Sequence, residues 1–171
     1  MKTPIGVTMK PKTSNIKPKA LTVLAALIAV WSLWFFRPEH QLERAHRRLI
    51  HAVESRNWDK LRKLTTDDFA AGIYDKDESI EIGQHVLGPF FSIQITEDGQ
   101  TTLWERPQCV ITSQIRMAGK GVGFTDMVVS TVNAQTEPFV FTWQRMGWKP
   151  WGWRLARVEH PLLTEQPPLI N

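Results

Sequence analysis

The feature that most constrains this chain is an uncharged apolar run over residues 20–36, ALTVLAALIAVWSLWFF, bounded by Lys19 and Arg37. Nothing else in the sequence resembles it. As a helix, the run would extend about 25 Å, slightly short of the hydrocarbon core of a typical bilayer, and the lysine can reach the interface. We therefore predict a single transmembrane helix at 20–36, with Lys19, Trp31 and Trp34 at the membrane interfaces.

A cleaved secretory signal has the same order of charged and apolar residues, but it needs small residues at its cleavage site. This run ends in the bulky residues Leu33, Trp34, Phe35 and Phe36. The pattern favours an anchor that is not cleaved. A cleaved signal and a buried core helix are the alternatives.

The positive charge of the chain lies almost wholly at its start. The net charge is +4, but residues 1–36 hold five lysines and no acid, and the remainder carries 16 Lys and Arg against 17 acids. Lysines beside an apolar run stay on the cytoplasmic side of the membrane. We therefore predict that the basic tail at 1–19 lies in the cytoplasm, that the anchor lies in the inner membrane of a bacterial cell, and that the following domain lies in the periplasm or outside the cell.

The near neutrality of the domain also bears on its partners. Binding to nucleic acid depends on many contacts between basic side chains and phosphates. A domain with a net charge of −1 lacks that footprint. We therefore expect membrane lipids and other membrane or envelope proteins as partners, and no nucleic acid.

The soluble domain, residues 37–163, opens with three predicted helices. Apolar residues recur every three or four positions over 42–53, which is typical of a helix with one buried face. Asn57 is predicted to cap a short second helix, and Asp77 or Ser79 to cap a third.

Past the third helix the hydrophobic period changes from that of a helix to that of a strand. Phe91, Ile93 and Ile95 alternate with polar residues up to Asp98 and Gly99, a pair that predicts a hairpin turn. Further strands are predicted at about 109–117, 124–133, 139–146 and 151–159, with a C-terminal tail at 164–171. Strands this close in sequence should pair antiparallel.

This order predicts an α+β fold, in which three helices pack on one face of a curved antiparallel sheet. The order, the Asn57-Trp58-Asp59 start of the second helix leading to Asp67-Asp68-Phe69, and the closing strand GWRLARV at 152–158 resemble the nuclear transport factor 2-like superfamily over about 39–160. The resemblance implies a cone with a pocket between helices and sheet, and a homodimer through the open sheet face. Members include enzymes, transport adaptors and assembly proteins, so the fold alone assigns no function.

Enzymes of this superfamily, such as ketosteroid isomerases, use an Asp base in an apolar pocket, and the resemblance places an oxyanion-stabilising Tyr on the first helix. The only tyrosine here, Tyr74, is not on that helix. The residues to examine in a pocket are Tyr74, His85, Trp104 and Asp126. None of them is assigned as catalytic.

Asp126 illustrates the ambiguity of the pattern. If Phe124 and Val128 face the pocket, strand alternation brings Asp126 in with them, where burial would raise its pKa. If Met127 and Val129 face inward instead, Asp126 is a surface acid.

Three further features of the sequence bear on its chemistry. Glu43 and His46 have a spacing used in metal sites, but no second pair of this kind accompanies them in the sequence. They are interpreted as part of the solvent-exposed face of the helix, and neither a metal nor a cofactor is expected. Cys109, the only cysteine, is interpreted as a core residue. Trp148 and Trp151, in a turn rich in tryptophan, are either cross-strand packing residues or contacts for a partner or lipid.

These observations favour a non-catalytic binding or assembly module of a cell-envelope complex, anchored in the membrane. The alternative is a small anchored enzyme or ligand carrier that uses the pocket of the cone. A deep pocket with Asp126 and His85 converging would support the enzyme, and a filled cone would support the module.

Overall fold

The computed structural model describes residue 31 and residues 37–105, 107–147 and 151–164. The chain divides into the units Met1–Phe36 and Arg37–Asn171, and the fold below is that of the second. The predicted anchor at 20–36 lies outside the described residues, as do Lys19 and Trp34; the one exception is Trp31, which is helical and exposed. None of the helices in the described part of the chain is long and apolar enough to cross a bilayer.

The described part of the domain contains four α-helices, six strands and a short 3₁₀ turn. The helices are α1 (Pro38–Glu54), α2 (Trp58–Leu64), α3 (Lys76–Leu87) and α4 (Thr125–Asn133). The strands are β1 (Thr65–Ala71), β2 (Tyr74–Asp75), β3 (Phe90–Glu105), β4 (Gln108–Gly121), β5 (Phe139–Arg145) and β6 (Trp153–Glu159). The predicted α+β class is confirmed, with one helix more than predicted.

The six strands form one sheet in the order β2-β1-β6-β5-β4-β3. Neighbouring strands are antiparallel except β1 and β6, which pair in parallel, so the prediction of a wholly antiparallel sheet is wrong. The sequence of β1, TTDDFAA, has one large apolar residue, Phe69. Nothing local marks this segment as a strand; its pairing with the last strand of the chain does.

The predicted strand at 124–133 is the helix α4. Its valines fit a helix face as well as a strand face, because short apolar runs are ambiguous in period. Asn133, at the end of α4, accepts a hydrogen bond from the N–H of Met117 and donates one to its carbonyl, both at 2.8 Å. The amide side chain thus takes the place of a neighbouring strand beside this part of β4.

Asp98 and Gly99 form no hairpin turn. They lie at a β-bulge within the long strand β3, where the register with β4 shifts between Asp98 and Thr101. Gly99 has φ +63°, a conformation that such bulges require and that glycine adopts without strain. The hairpin turn follows Glu105 instead, so β3 extends well beyond its predicted end.

The ends of two helices show how local sequence places the elements. The Asn57 side chain accepts a hydrogen bond from the N–H of Lys60 at 3.0 Å, which confirms the predicted cap of α2. The Asp75 side chain caps helix α3 by accepting hydrogen bonds from the N–H groups of Asp77 and Glu78, and the Glu78 carboxylate accepts one from the Asp75 N–H. The cap therefore lies before the predicted Asp77 and Ser79.

The core lies between α1 and the concave face of the sheet. Helix α1 contributes Leu42, Ala45, Leu49 and Ala52, all at most 5 % exposed. The sheet contributes the buried side chains that fill the same space: Cys109, Ile111, Phe141, Trp143, Trp153 and Leu155. Cys109 is fully buried, as predicted.

Candidate functional site

His46 lies on the buried face of α1 with 2 % of its surface exposed, so its assignment to a wet helix face is wrong. It is four residues after Leu42 and three before Leu49, and these spacings place all three residues on one face of a helix. Glu43, its predicted neighbour in a metal pair, is exposed and bonded to Arg47. The two side chains therefore serve different faces of α1.

The partner of His46 is Glu97, on β3. His46 Nε2 lies 2.6 Å from Glu97 Oε1, and Ser113 Oγ, on β4, donates to the same oxygen at 2.9 Å. An ionised carboxylate can only accept hydrogen bonds, so Nε2 of His46 carries the hydrogen. The three side chains form a cluster that joins α1 to two strands, and we call it the His46 cluster.

The charge on Glu97 is stabilised inside the protein. Burial by itself raises the pKa of Glu97, but the hydrogen bond from His46, the charge of His46 and the hydrogen bond from Ser113 together lower it below its ordinary value of 4.5. The side chain is 17 % exposed. The cluster therefore holds an ionised acid next to a histidine in a mostly apolar interior.

Aromatic rings enclose the other side of His46. Its ring makes edge contacts with Phe141 and Trp143, at centroid distances of 5.0 and 5.7 Å. Within the described residues, His46 Nδ1 and the indole nitrogens of Trp143 and Trp153 have no hydrogen-bond partner. The imidazole is thus packed as a core residue that has one polar contact, to Glu97.

Two clefts open near the start of α1. The larger, with a volume of about 760 Å³, we call the aromatic cleft; it is lined by Pro38, Glu39, Trp104, Pro107, Gln108, Arg145, Gly147 and Trp153. The rings of Trp104 and Trp153 meet there edge to face, with centroids 5.8 Å apart.

The second cleft, of about 320 Å³, runs between α1 and β3, and we call it the α1–β3 groove. Its lining residues are Glu39, His40, Leu42, Glu43, Gln100, Thr102, Trp104 and Ile111. Among the described residues that line these two clefts, neither His46 nor Glu97 occurs. The clefts and the His46 cluster are therefore separate features of the concave side.

The four predicted pocket residues lie in different places. Tyr74 lines a shallow cleft of about 360 Å³ beside β1 and β2, whereas Trp104 lines the aromatic cleft and the groove. His85 is exposed on α3, with its ring stacked on Phe124 at 6.2 Å, and Asp126 is exposed in the first turn of α4. Tyr74 and Trp104 thus share no cleft, and His85 and Asp126 lie at the surface.

The tryptophan-rich turn is described in part. Trp151 is 52 % exposed between β5 and β6, and Trp153 is buried in the core. Trp148 lies outside the described residues.

Sequence reasoning missed Glu97 and Ser113, although a signal for both was present. Alternation from Ile93 and Ile95 places Glu97 on the same face, and alternation from Cys109 and Ile111 does the same for Ser113. No neighbour in the sequence indicates a partner for either polar side chain, so alternation alone does not predict the cluster.

Comparison with known proteins identifies the fold. Neither protein-family models nor curated proteins gave a match to the sequence. Solved structures did, at low identity. An NTF2-like protein from Cytophaga hutchinsonii is 12 % identical, with a TM-score of 0.51 over 68 % of this chain and 91 % of that one. A candidate scytalone dehydratase from Novosphingobium aromaticivorans is 9 % identical, with a TM-score of 0.52 over 71 % and 80 %.

A third neighbour is longer than this chain. Bd1075 from Bdellovibrio bacteriovorus is 11 % identical with a TM-score of 0.54, and the match covers 70 % of this chain but only 40 % of Bd1075. These likenesses show that the domain has the NTF2-like fold, as the sequence resemblance implied. They extend to the fold alone, since proteins with this fold differ in function.

Proposed function

We propose that this chain is a non-catalytic binding module of a cell-envelope protein complex, held by a single membrane anchor at 20–36. Its basic tail lies in the cytoplasm and its domain in the periplasm or outside the cell. The observation that carries the proposal is the filled interior of the cone. Where an enzyme of this fold needs a substrate pocket, side chains of α1 and the sheet pack against one another.

The filling is extensive. Trp143 and Leu42 are at most 2 % exposed, and Phe141, Trp153 and Leu155 at most 6 %. Side chains packed this closely leave no space for a ligand among themselves, and opening such a space costs several kcal/mol. The aromatic cleft and the α1–β3 groove lie at the edge of this packing, where Trp153, Leu42 and Ile111 line them in part. The His46 cluster then acts as a polar tie between helix and sheet.

The surface best suited to bind a protein is the open edge of strand β3, along the later residues of the strand. The edge of β3 nearer its start is covered, because the N–H of Ile95 bonds to Glu54 at 2.8 Å and the carbonyl of Phe90 accepts from Arg56. Both partners lie at or just beyond the end of α1. No strand pairs with the later residues of this edge in the described part of the chain.

The register tells which backbone groups point outward there. Ile95 is opposite Met117 on β4. The N–H of Ile95 donates to Glu54 and the N–H of Met117 donates to Asn133, so the two residues form a pair without mutual hydrogen bonds. Alternation along β4 makes Ile111 and Cys109 members of the same set, and their partners on β3 are Thr102 and Trp104. The N–H and C=O groups of Thr102 and Trp104 therefore face the open edge.

An open edge beside a groove fits an extended segment of a partner. Such a segment would add a strand to β3 and place an apolar side chain in the α1–β3 groove against Leu42 and Trp104. Glu39 and Glu43 line this groove, so a segment with Lys or Arg is the complementary partner.

The experiment compares two substitutions at Thr102 in the full chain. Thr102→Pro removes an outward N–H without removing a bond to β4, whereas Thr102→Val keeps the N–H and the strand preference. After extraction in mild detergent, the proteins that co-purify with wild type should be retained by Thr102→Val and lost from Thr102→Pro. Equal retention by both variants would refute strand addition. A second copy of the chain as the retained protein would identify a homodimer that pairs at this edge, in place of the predicted one through the open sheet face.

The membrane topology is tested separately. The test uses a reporter that is active only outside the cytoplasm. The reporter should be active when it is fused after Asn171 and inactive when it is fused before Lys19. The opposite pattern, or a mature chain that begins after Phe36, would overturn the location.

A small anchored enzyme or ligand carrier is the second candidate, and the His46 cluster favours it. An ionised acid beside a buried histidine is a common arrangement in acid–base catalysis. If the cone opens to a ligand, apolar ring compounds should change the emission of the buried tryptophans, and His46→Gln should abolish that change without unfolding the domain. No change in wild type would remove this candidate.

A further inference from the structure

Exposed large apolar side chains gather at one end of the domain. Met146 and Trp151 are 47 % and 52 % exposed in the turn between β5 and β6, and Leu103 and Trp104 are 58 % and 38 % exposed near the end of β3. Backbone hydrogen bonds join these segments, from Met146 N–H to the carbonyl of Gly152 and from Arg145 N–H to that of Pro107. We call this end the hairpin end.

Exposure by itself does not single out the hairpin end. Phe91, Val122 and Met127 are also exposed, around the start of β3, the end of β4 and the first turn of α4. That second group contains no tryptophan, the residue that is most enriched where a bilayer meets water.

The entry point of the chain separates the two groups. Pro38 and Glu39, the first residues of α1, line the same cleft as Trp104 and Arg145, so the domain begins at the hairpin end. The apolar run 20–36 ends one residue before Arg37. Only Arg37 separates the run from α1 in the sequence, so a run that crosses the bilayer brings the first residues of α1 out of the membrane within a few residues of its surface.

We propose that the hairpin end docks on the bilayer, with Met146 and Trp151 inserted among the lipid headgroups. The inference rests on the proposed anchor, and it gives the domain one fixed orientation on the membrane. The open edge of β3 then lies beside the membrane surface, where a partner that is itself anchored would meet it.

The length of strand β3 makes this orientation measurable. Phe91 and Trp104 are on the same strand, and thirteen residues at about 3.3 Å each place them about 40 Å apart along it. A probe near Trp104 would be among headgroups while a probe at Phe91 is in water.

The experiment uses the full chain in phosphatidylcholine vesicles that contain a nitroxide-labelled lipid. An environment-sensitive dye is attached through Met146→Cys or, as the matched control, through Phe91→Cys; native Cys109 is buried and stays unlabelled. Quenching should be several-fold stronger for the Met146→Cys dye than for the Phe91→Cys dye. Adding Trp151→Ser should reduce the quenching at Met146→Cys.

Two results separate the docking surface from the anchor. If alkaline carbonate removes the chain from the vesicles, the anchor is wrong and the docking surface falls with it. If the chain stays and the two dyes are quenched equally, or not at all, the anchor stands and the docking surface is wrong. An added fraction of phosphatidylglycerol should leave the pattern unchanged, because apolar and aromatic contacts carry the proposed docking.

Discussion

Replacing Glu97 with leucine should destabilise the domain by about 3 kcal/mol, because two buried donors lose their acceptor. The hydrogen bond from His46 to a charged carboxylate contributes about 1.5–3 kcal/mol, and the one from Ser113 about 1 kcal/mol. Leucine is close to glutamate in volume, so no large cavity adds to the loss. His46, already without a partner for Nδ1 in the described part of the chain, would be left with no hydrogen bond at Nε2 either.

The assay is thermal or urea unfolding of the full chain in detergent, followed by the circular dichroism of the domain. For a domain of this size, a loss of about 3 kcal/mol lowers the unfolding temperature by roughly 10 °C. Glu105→Leu is the matched control, since Glu105 is an exposed glutamate on the same strand and should change stability by less than about 0.5 kcal/mol.

A double substitution checks the cause. Replacing His46 and Glu97 together by leucine removes the unpaired ring nitrogen, so the pair should cost clearly less than the sum of the single changes. If Glu97→Leu is no more destabilising than Glu105→Leu, the view of the His46 cluster as a tie between helix and sheet is wrong.

Three further predictions concern titration, reactivity and packing. The pKa of Glu97 is lowered in the folded protein, so its stabilising contribution is present above about pH 4.5 and is lost as the pH falls through the lower folded value. The difference in the free energy of unfolding between wild type and Glu97→Leu, measured in urea, should therefore narrow from pH 7 to pH 3. Burial raises the pKa of Cys109 to about 11, so alkylation at pH 8 should be roughly a hundredfold slower in the folded chain than in urea, and comparable rates would show that β4 is not buried. Asn133→Ala should cost about 2 kcal/mol in urea unfolding by leaving both backbone groups of Met117 unpaired, whereas Thr131→Ala on the exposed side of the same helix should cost much less.

Several elements could be predicted because their signals are local. The face of α1 follows from apolar residues three and four apart, and the cap at Asn57 from a side chain that can accept a hydrogen bond within one turn. The inward face of β4 around Cys109 follows from alternation. Each of these depends on contacts within a few residues of the chain.

The errors share a cause. Asp98 and Gly99 suit a hairpin turn and a bulge equally, and only the pairing of β3 with β4 beyond them decides which forms. The residues of α4 suit a strand and a helix, and the bonds from Asn133 to Met117 help to hold the helix beside β4. The parallel pairing of β1 with β6 joins residues about 90 apart, which no local pattern records.

The candidate site likewise combines features that the sequence determines with features that only the fold decides. By itself the sequence determined that one apolar run precedes a nearly neutral α+β domain, because hydrophobicity, charge and periodicity are properties of residues and their near neighbours. Only the tertiary structure decided that His46 faces Glu97 and Ser113, that side chains of α1 pack against those of the sheet, and that Tyr74 and Trp104 lie in different clefts. Those facts depend on which side chains meet across the core, and packing between distant segments settles that.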